Sequence, residues 1–70
     1  MTIYVLEQFE LEGPSELYFY MTEDGAVEAA AEYGHSWLTL HRDKYNDLVG
    51  PDNKHDGAFY IRIWAAEVNP

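Results

Sequence analysis

Residues 58–68, AFYIRIWAAEV, alternate between two sets of bulky side chains, the pattern of an extended strand that has something to bury on each side. Residues 2–9 (TIYVLEQF) alternate in the same way, and residues 16–21 (ELYFYM) do so again after the turn-forming Gly13-Pro14-Ser15. Residues 36–41 (SWLTLH) make a fourth alternating segment. Seventy residues hold one domain and one core, because a domain of this size buries only about 60% of its unfolded surface. Two-sided strands in so short a chain compete for whatever layer covers them.

That layer is a single helix. In EDGAVEAAAEY, Ala26, Val27, Ala30 and Ala31 recur at the spacing of one helical face and Gly34 follows as a stop, which predicts a helix over 23–33. Thr22 is the predicted N-cap, and Glu23 and Asp24 suit the positive end of the helix dipole, although Gly25 stands where a capping box would place Glu. Residues 42–57 (RDKYNDLVGPDNKHDG) are polar and turn-rich, and Tyr45, Leu48 and Val49 have the spacing of a short helical turn. The expected fold is α+β: one domain over residues 1–70, in the order β-β-α-β-β. Its four-stranded, largely antiparallel sheet carries one helix on one face, with an extra short helix before the last strand. There is no internal repeat and no linker that would divide the chain.

Alternation sorts the strand residues into two lists. Ile3, Val5, Phe9, Leu17, Phe19, Met21, Leu38, Leu40, Phe59, Ile61 and Ile63 form an aliphatic and Phe list; Tyr4, Leu6, Tyr18, Tyr20, Trp37, Thr39, Tyr60, Arg62 and Trp64 form the other. The alanine ridge of the helix matches the aliphatic list, so the second face is expected to stay open. Tyr, Trp and Arg dominate binding hot spots, because they bury large area while keeping a polar end. Tyr4, Tyr18, Tyr20, Trp37, Tyr60, Arg62 and Trp64 are therefore candidate partner-binding residues. The bland alternative is that Tyr stands on the wet side of a small sheet for its strand propensity and its water-seeking hydroxyl. The loop 42–57 could also cover part of that face.

The net charge is −9, from 4 Lys and Arg against 13 Asp and Glu. It is unevenly spread: Glu7, Glu10, Glu12, Glu16, Glu23, Asp24, Glu28 and Glu32 all precede the first base, Arg42. On the predicted helix Asp24, Glu28 and Glu32 make one stripe at i, i+4, i+8, each like-charged pair costing a few tenths of a kcal/mol. The stripe repeats every ~6 Å, of the order of the phosphate spacing along a nucleic-acid strand. It suggests a mimic that offers carboxylates to a Lys/Arg cleft built for phosphates. The simpler reading is an acidic face that keeps a small protein soluble. Direct nucleic-acid binding is not expected, since a stacking platform needs a basic groove beside its aromatic residues.

Chemistry is sparse. With no cysteine there is no disulfide framework, thiolate cluster or cysteine nucleophile. No HExxH, GxSxG, GxGxxG or phosphate-cradling loop is present. The stretch from Asp52 begins like a calcium loop, but Lys54 takes the third ligand position and Ile63 the twelfth, so it reads as a turn. His35, His41 and His55 are the only histidines, and neither a metal, a cofactor nor an enzymatic activity is expected. No apolar run nears the roughly 20 residues of a membrane span, and MTIYVLEQ lacks the basic start of a signal peptide. A cytoplasmic protein without a membrane partner is expected.

A short, cysteine-free, strongly acidic chain without enzymatic motifs resembles the inhibitors that phages and mobile elements direct against nucleic-acid-handling machinery, anti-CRISPR and anti-restriction proteins among them. The resemblance lies in size, charge and class, and carries no motif. It implies another protein as partner, a nucleic-acid-binding enzyme or complex. Two other readings stay open: a structural or regulatory homodimer paired through the aromatic sheet face, and a small ligand-binding protein or enzyme using the histidine-containing loop.

Overall fold

Two long strands, β1 (Thr2–Phe9) and β5 (Tyr60–Glu67), pair antiparallel along their whole length, from Thr2 opposite Glu67 to Phe9 opposite Tyr60. The structure, a computed structural model, describes residues 1–9, 15–34, 36–50 and 60–69. Around the central pair stand β2 (Glu16–Tyr20), β3 (His41–Arg42) and β4 (Leu48–Val49), in the sheet order β2-β1-β5-β4-β3 with every neighbour antiparallel. The helix α1 (Glu23–Ala30) lies on one face and tightens into a 3-10 turn at Ala31–Tyr33. The fold is α+β, with five strands among the described residues rather than the four expected. The ends of the chain meet: the Val68 amide donates to the Met1 carbonyl at 2.8 Å, and the Thr2 hydroxyl to Glu67 Oε1 at 2.6 Å.

The helix follows its sequence signals. Thr22 Oγ1 accepts from the Gly25 amide at 3.0 Å, so the glycine that spoils the capping box still supplies the donor the cap needs. Ala26, Val27 and Ala30 are buried, and Gly34 ends the helical stretch at φ 80°, a left-handed conformation that glycine adopts without strain.

Register decides which side chains the helix covers. Leu6 stands opposite Ile63 and Tyr18, Gln8 opposite Ile61, and Tyr4 opposite Tyr20. Directly opposed residues share a face, so even positions of β1 go with odd positions of β5. The core under α1 is Leu6, Ala26, Val27, Ala30, Leu40, Leu48, Ile61 and Ile63, with Tyr4, Tyr20 and Ala29 packed against it. The other face carries Ile3, Val5, Phe9, Leu17, Phe19, Val49, Tyr60, Arg62 and Trp64. This corrects the two-list sorting: Tyr4, Leu6, Tyr18 and Tyr20 lie on the helix side, while Ile3, Val5, Phe9, Leu17 and Phe19 lie on the face without the helix. Alternation fixes the two sets within a strand but not which set of the neighbour joins them, and a slip of one residue exchanges them.

Two further expectations change. Residues 36–40 form a turn, because the Thr39 and Leu40 amides donate to the Ser36 carbonyl at 3.0 and 2.8 Å, and Thr39 Oγ1 accepts from the Ser36 amide at 2.7 Å. Ser and Thr side chains here take backbone partners that a strand would need. Leu48 and Val49, expected in a helical turn, form β4 instead. Asn46 adopts a left-handed φ of 65°, and the Asp43 amide donates to the Asp47 carbonyl at 3.0 Å, which closes a tight β3–β4 hairpin. The short helix expected before the last strand is thus a strand where residues are described; the calcium-like stretch 52–57, with His55, and also His35, lie outside the described residues.

Candidate interaction surfaces

The predicted partner-binding residues do not make one platform. Tyr4 and Tyr20 are half-buried against the core on the helix side. Tyr18 is on the same side, at the partly exposed edge strand β2, and its hydroxyl donates to Glu16. Tyr60, Arg62 and Trp64 are half-buried on the opposite face. Trp37 belongs to the turn of residues 36–40 and is 49% exposed. At the outer edge of the helix-free face, β2 exposes Leu17 and Phe19, the latter by 63%.

Arg62 is held from within. Its Nη1 donates to Asp43 Oδ2 at 2.7 Å and Asp47 Oδ2 at 2.8 Å, and its Nη2 to the Tyr60 hydroxyl at 3.1 Å. The Tyr60 ring packs tilted on Phe9, with centroids 5.2 Å apart. The hydrogen bonds to Asp43 and then Asp47 raise the guanidinium pKa. Burial disfavours the Asp43 carboxylate, but hydrogen bonds from Arg62 and from the Tyr45 and Asp47 amides outweigh it and hold its pKa below the usual range. Arg62 therefore clamps the β3–β4 hairpin onto β5. The signal for this clamp was the pair Asp43 and Asp47 beside a two-residue strand pairing, which alternation alone does not reveal.

Arg42 is engaged too. It grips Glu23 bidentately, at 2.7 and 2.9 Å, and its Nη1 also donates to the Asn46 carbonyl at 3.1 Å. The bond to Glu23 raises its pKa against the effect of burial. This bridge neutralises the first carboxylate of α1 and leaves the others. Asp24, Glu28 and Glu32 are exposed and make no hydrogen bond or ion pair among the described residues.

The three do not stay in line. A 3-10 turn advances about 120° per residue against about 100° in an α-helix, so Glu32 lies about 40° off the row begun by Asp24 and Glu28. Asp24 and Glu28 instead share an open groove of about 370 Å³ with Val27, Ala31, Ser36 and Trp37. Of these, Val27 is buried, and Trp37, from the turn of residues 36–40, is half exposed. No family model, curated protein or solved structure matches this chain.

His41 is exposed on β3, and among the described residues no three His, Asp or Glu side chains are grouped to hold a metal ion. Among the same residues no helix is long and apolar enough to cross a membrane.

Proposed function

We propose that this chain is a small acidic protein-binding module that occupies a basic, nucleic-acid-binding surface of a partner protein and thereby inhibits or modulates it. The observation that carries the reading is where the charge is left uncompensated. Arg42 and Arg62 are paired with Glu23, Asp43 and Asp47, while Asp24, Glu28 and Glu32 face solvent with no partner among the described residues. A cleft built to hold phosphates presents Lys and Arg at short intervals, and carboxylates on a rigid helix satisfy the same side chains without a nucleic acid. The mode of action is that of phage anti-CRISPR and anti-restriction proteins. It requires no enzymatic step, cofactor, direct nucleic-acid contact or membrane, and it implies a cytoplasmic site of action.

The test uses wild type and the variant Asp24→Lys/Glu28→Lys/Glu32→Lys, each immobilised, to retain nucleic-acid-binding proteins from a host extract. A retained protein is then purified, and displacement of its labelled DNA or RNA is measured over a range of salt. Wild type should displace the nucleic acid, less well as salt rises, and the variant should not, with far-UV circular dichroism unchanged. Equal displacement by the variant refutes the helix-borne reading.

A second reading, the homodimer, is favoured by one observation: β2 is an edge strand with Leu17 and Phe19 exposed beside it. Light scattering coupled to size-exclusion chromatography over a hundredfold concentration range, with Phe19→Asp as the comparison, decides it. A dimer that Phe19→Asp dissociates supports self-pairing; a monomer throughout excludes it.

A further inference from the structure

We infer that the groove between α1 and the turn of residues 36–40 receives a single arginine side chain of the partner protein. The inference rests on the acidic-surface reading above and gives that surface an anchor. The size and the lining of the groove point to this occupant. At about 370 Å³ it lies near the lower end of the roughly 300–1,000 Å³ of ligand sites, enough room for one long side chain. Its lining combines the aromatic Trp37, the apolar Val27 and Ala31, the acidic Asp24 and Glu28, and Ser36. A cation on an apolar stem matches the aromatic, apolar and acidic parts. The methylenes lie on Val27 and Ala31, the positive group faces the negative π surface of the indole, and the carboxylates accept hydrogen bonds from its N–H groups.

Arginine fits better than lysine. A planar guanidinium stacks on an indole and presents a fork of N–H donors to carboxylates on either side, whereas an ammonium is a strongly hydrated point charge that does neither as well. The groove's charge is not cancelled from within, because Arg42, the base that bonds to α1, is committed to Glu23 by two hydrogen bonds. An anion is repelled by the two carboxylates, and a neutral apolar group leaves them without a counter-charge.

The probes are N-acetyl-arginine amide, its lysine and citrulline analogues, and hexa-arginine, titrated into the ¹⁵N-labelled protein. The reporter is the Trp37 indole N–H resonance, assigned with Trp37→Phe; the Trp64 indole, on the opposite face of the sheet, is the internal control. The arginine amide should shift the Trp37 indole and the amides of residues 24–31 saturably and leave Trp64 unmoved. The lysine analogue should bind more weakly and the citrulline analogue, alike in shape but uncharged, should give no saturable shift. Asp24→Asn/Glu28→Gln should weaken arginine binding about tenfold or more while the rest of the spectrum keeps its dispersion. A silent Trp37, or citrulline or lysine acting as strongly as arginine, overturns the inference. If hexa-arginine then moves other acidic positions such as Glu7 and Glu16, the groove is wrong and the acidic-surface reading stands. If it moves nothing, both fail.

Discussion

Leu6→Ala and Phe19→Ala, made side by side, test the register on which every surface described above depends. Leu6, on β1 in the core under α1, is fully buried, so removing its side chain leaves a cavity and should cost about 3–4 kcal/mol. Phe19 is 63% exposed, so little more than a third of a side chain that buries some 150–250 Å² when enclosed is at stake. At about 25 cal/mol per Å², and allowing for apolar surface already hidden in the unfolded chain, its loss should cost about 1 kcal/mol. A domain of 70 residues has a total stability of about 4–10 kcal/mol, so the first variant loses a large share and the second a small one. Urea unfolding followed by circular dichroism reads the difference directly. With a slope near 1 kcal/mol per molar, the midpoint should fall by about 3 M for Leu6→Ala and about 1 M for Phe19→Ala. If Phe19→Ala proves the more damaging, Phe19 and not Leu6 lies in the core, and the assignment of faces is wrong.

Two further outcomes follow from the described geometry. The Asp43 carboxylate has a folded pKa below its ordinary value, so its contribution is present above about pH 4 and is lost as pH falls through the folded pKa. The gap in melting temperature between wild type and Arg62→Gln should therefore narrow below about pH 4; a gap constant from pH 7 to pH 2.5 would refute the clamp. Gly34→Ala should destabilise by about 1–2 kcal/mol in urea unfolding through backbone strain alone, because φ is 80° and nothing lies within 4 Å of the added methyl; a neutral result would mean that the helix ends differently.

The long periodic segments were legible in the sequence. β1, β2, β5 and the helical stretch from Glu23 to Tyr33 stand where alternation and the alanine ridge put them, with Thr22 capping and Gly34 stopping the helix. Two stretches with side chains that bond to nearby backbone were misread. In SWLTLH the Ser36 and Thr39 hydroxyls outcompete the strand pattern, and in the stretch from Asp43 to Asp47 a left-handed Asn46 makes a hairpin where helical spacing was read. Pairing register is a property of two strands at once, so Tyr18 and Trp64 could be placed in separate lists or together only by knowing that Val5, not Leu6, stands opposite Trp64. For the candidate site, Asp24, Glu28 and Trp37 were each singled out, but as a charge stripe and an aromatic face. Their meeting in one groove depends on the turn that brings residue 37 back against the helix, and no periodicity encodes that.

The place of β5 at the centre of the sheet sets the order in which this protein can be assembled. β1, β2 and α1 are synthesised first, yet the residues that complete their core, Ile61 and Ile63, come from the strand that emerges after them, paired to β1 across some sixty positions of chain. Closing so long a loop costs entropy before any apolar burial offsets it. Until that strand arrives, the nascent chain holds a two-stranded hairpin and a helix with their apolar faces in water. The sheet cannot close until residues 60–67 are present, and a truncation before residue 60 removes the middle of the structure rather than its edge.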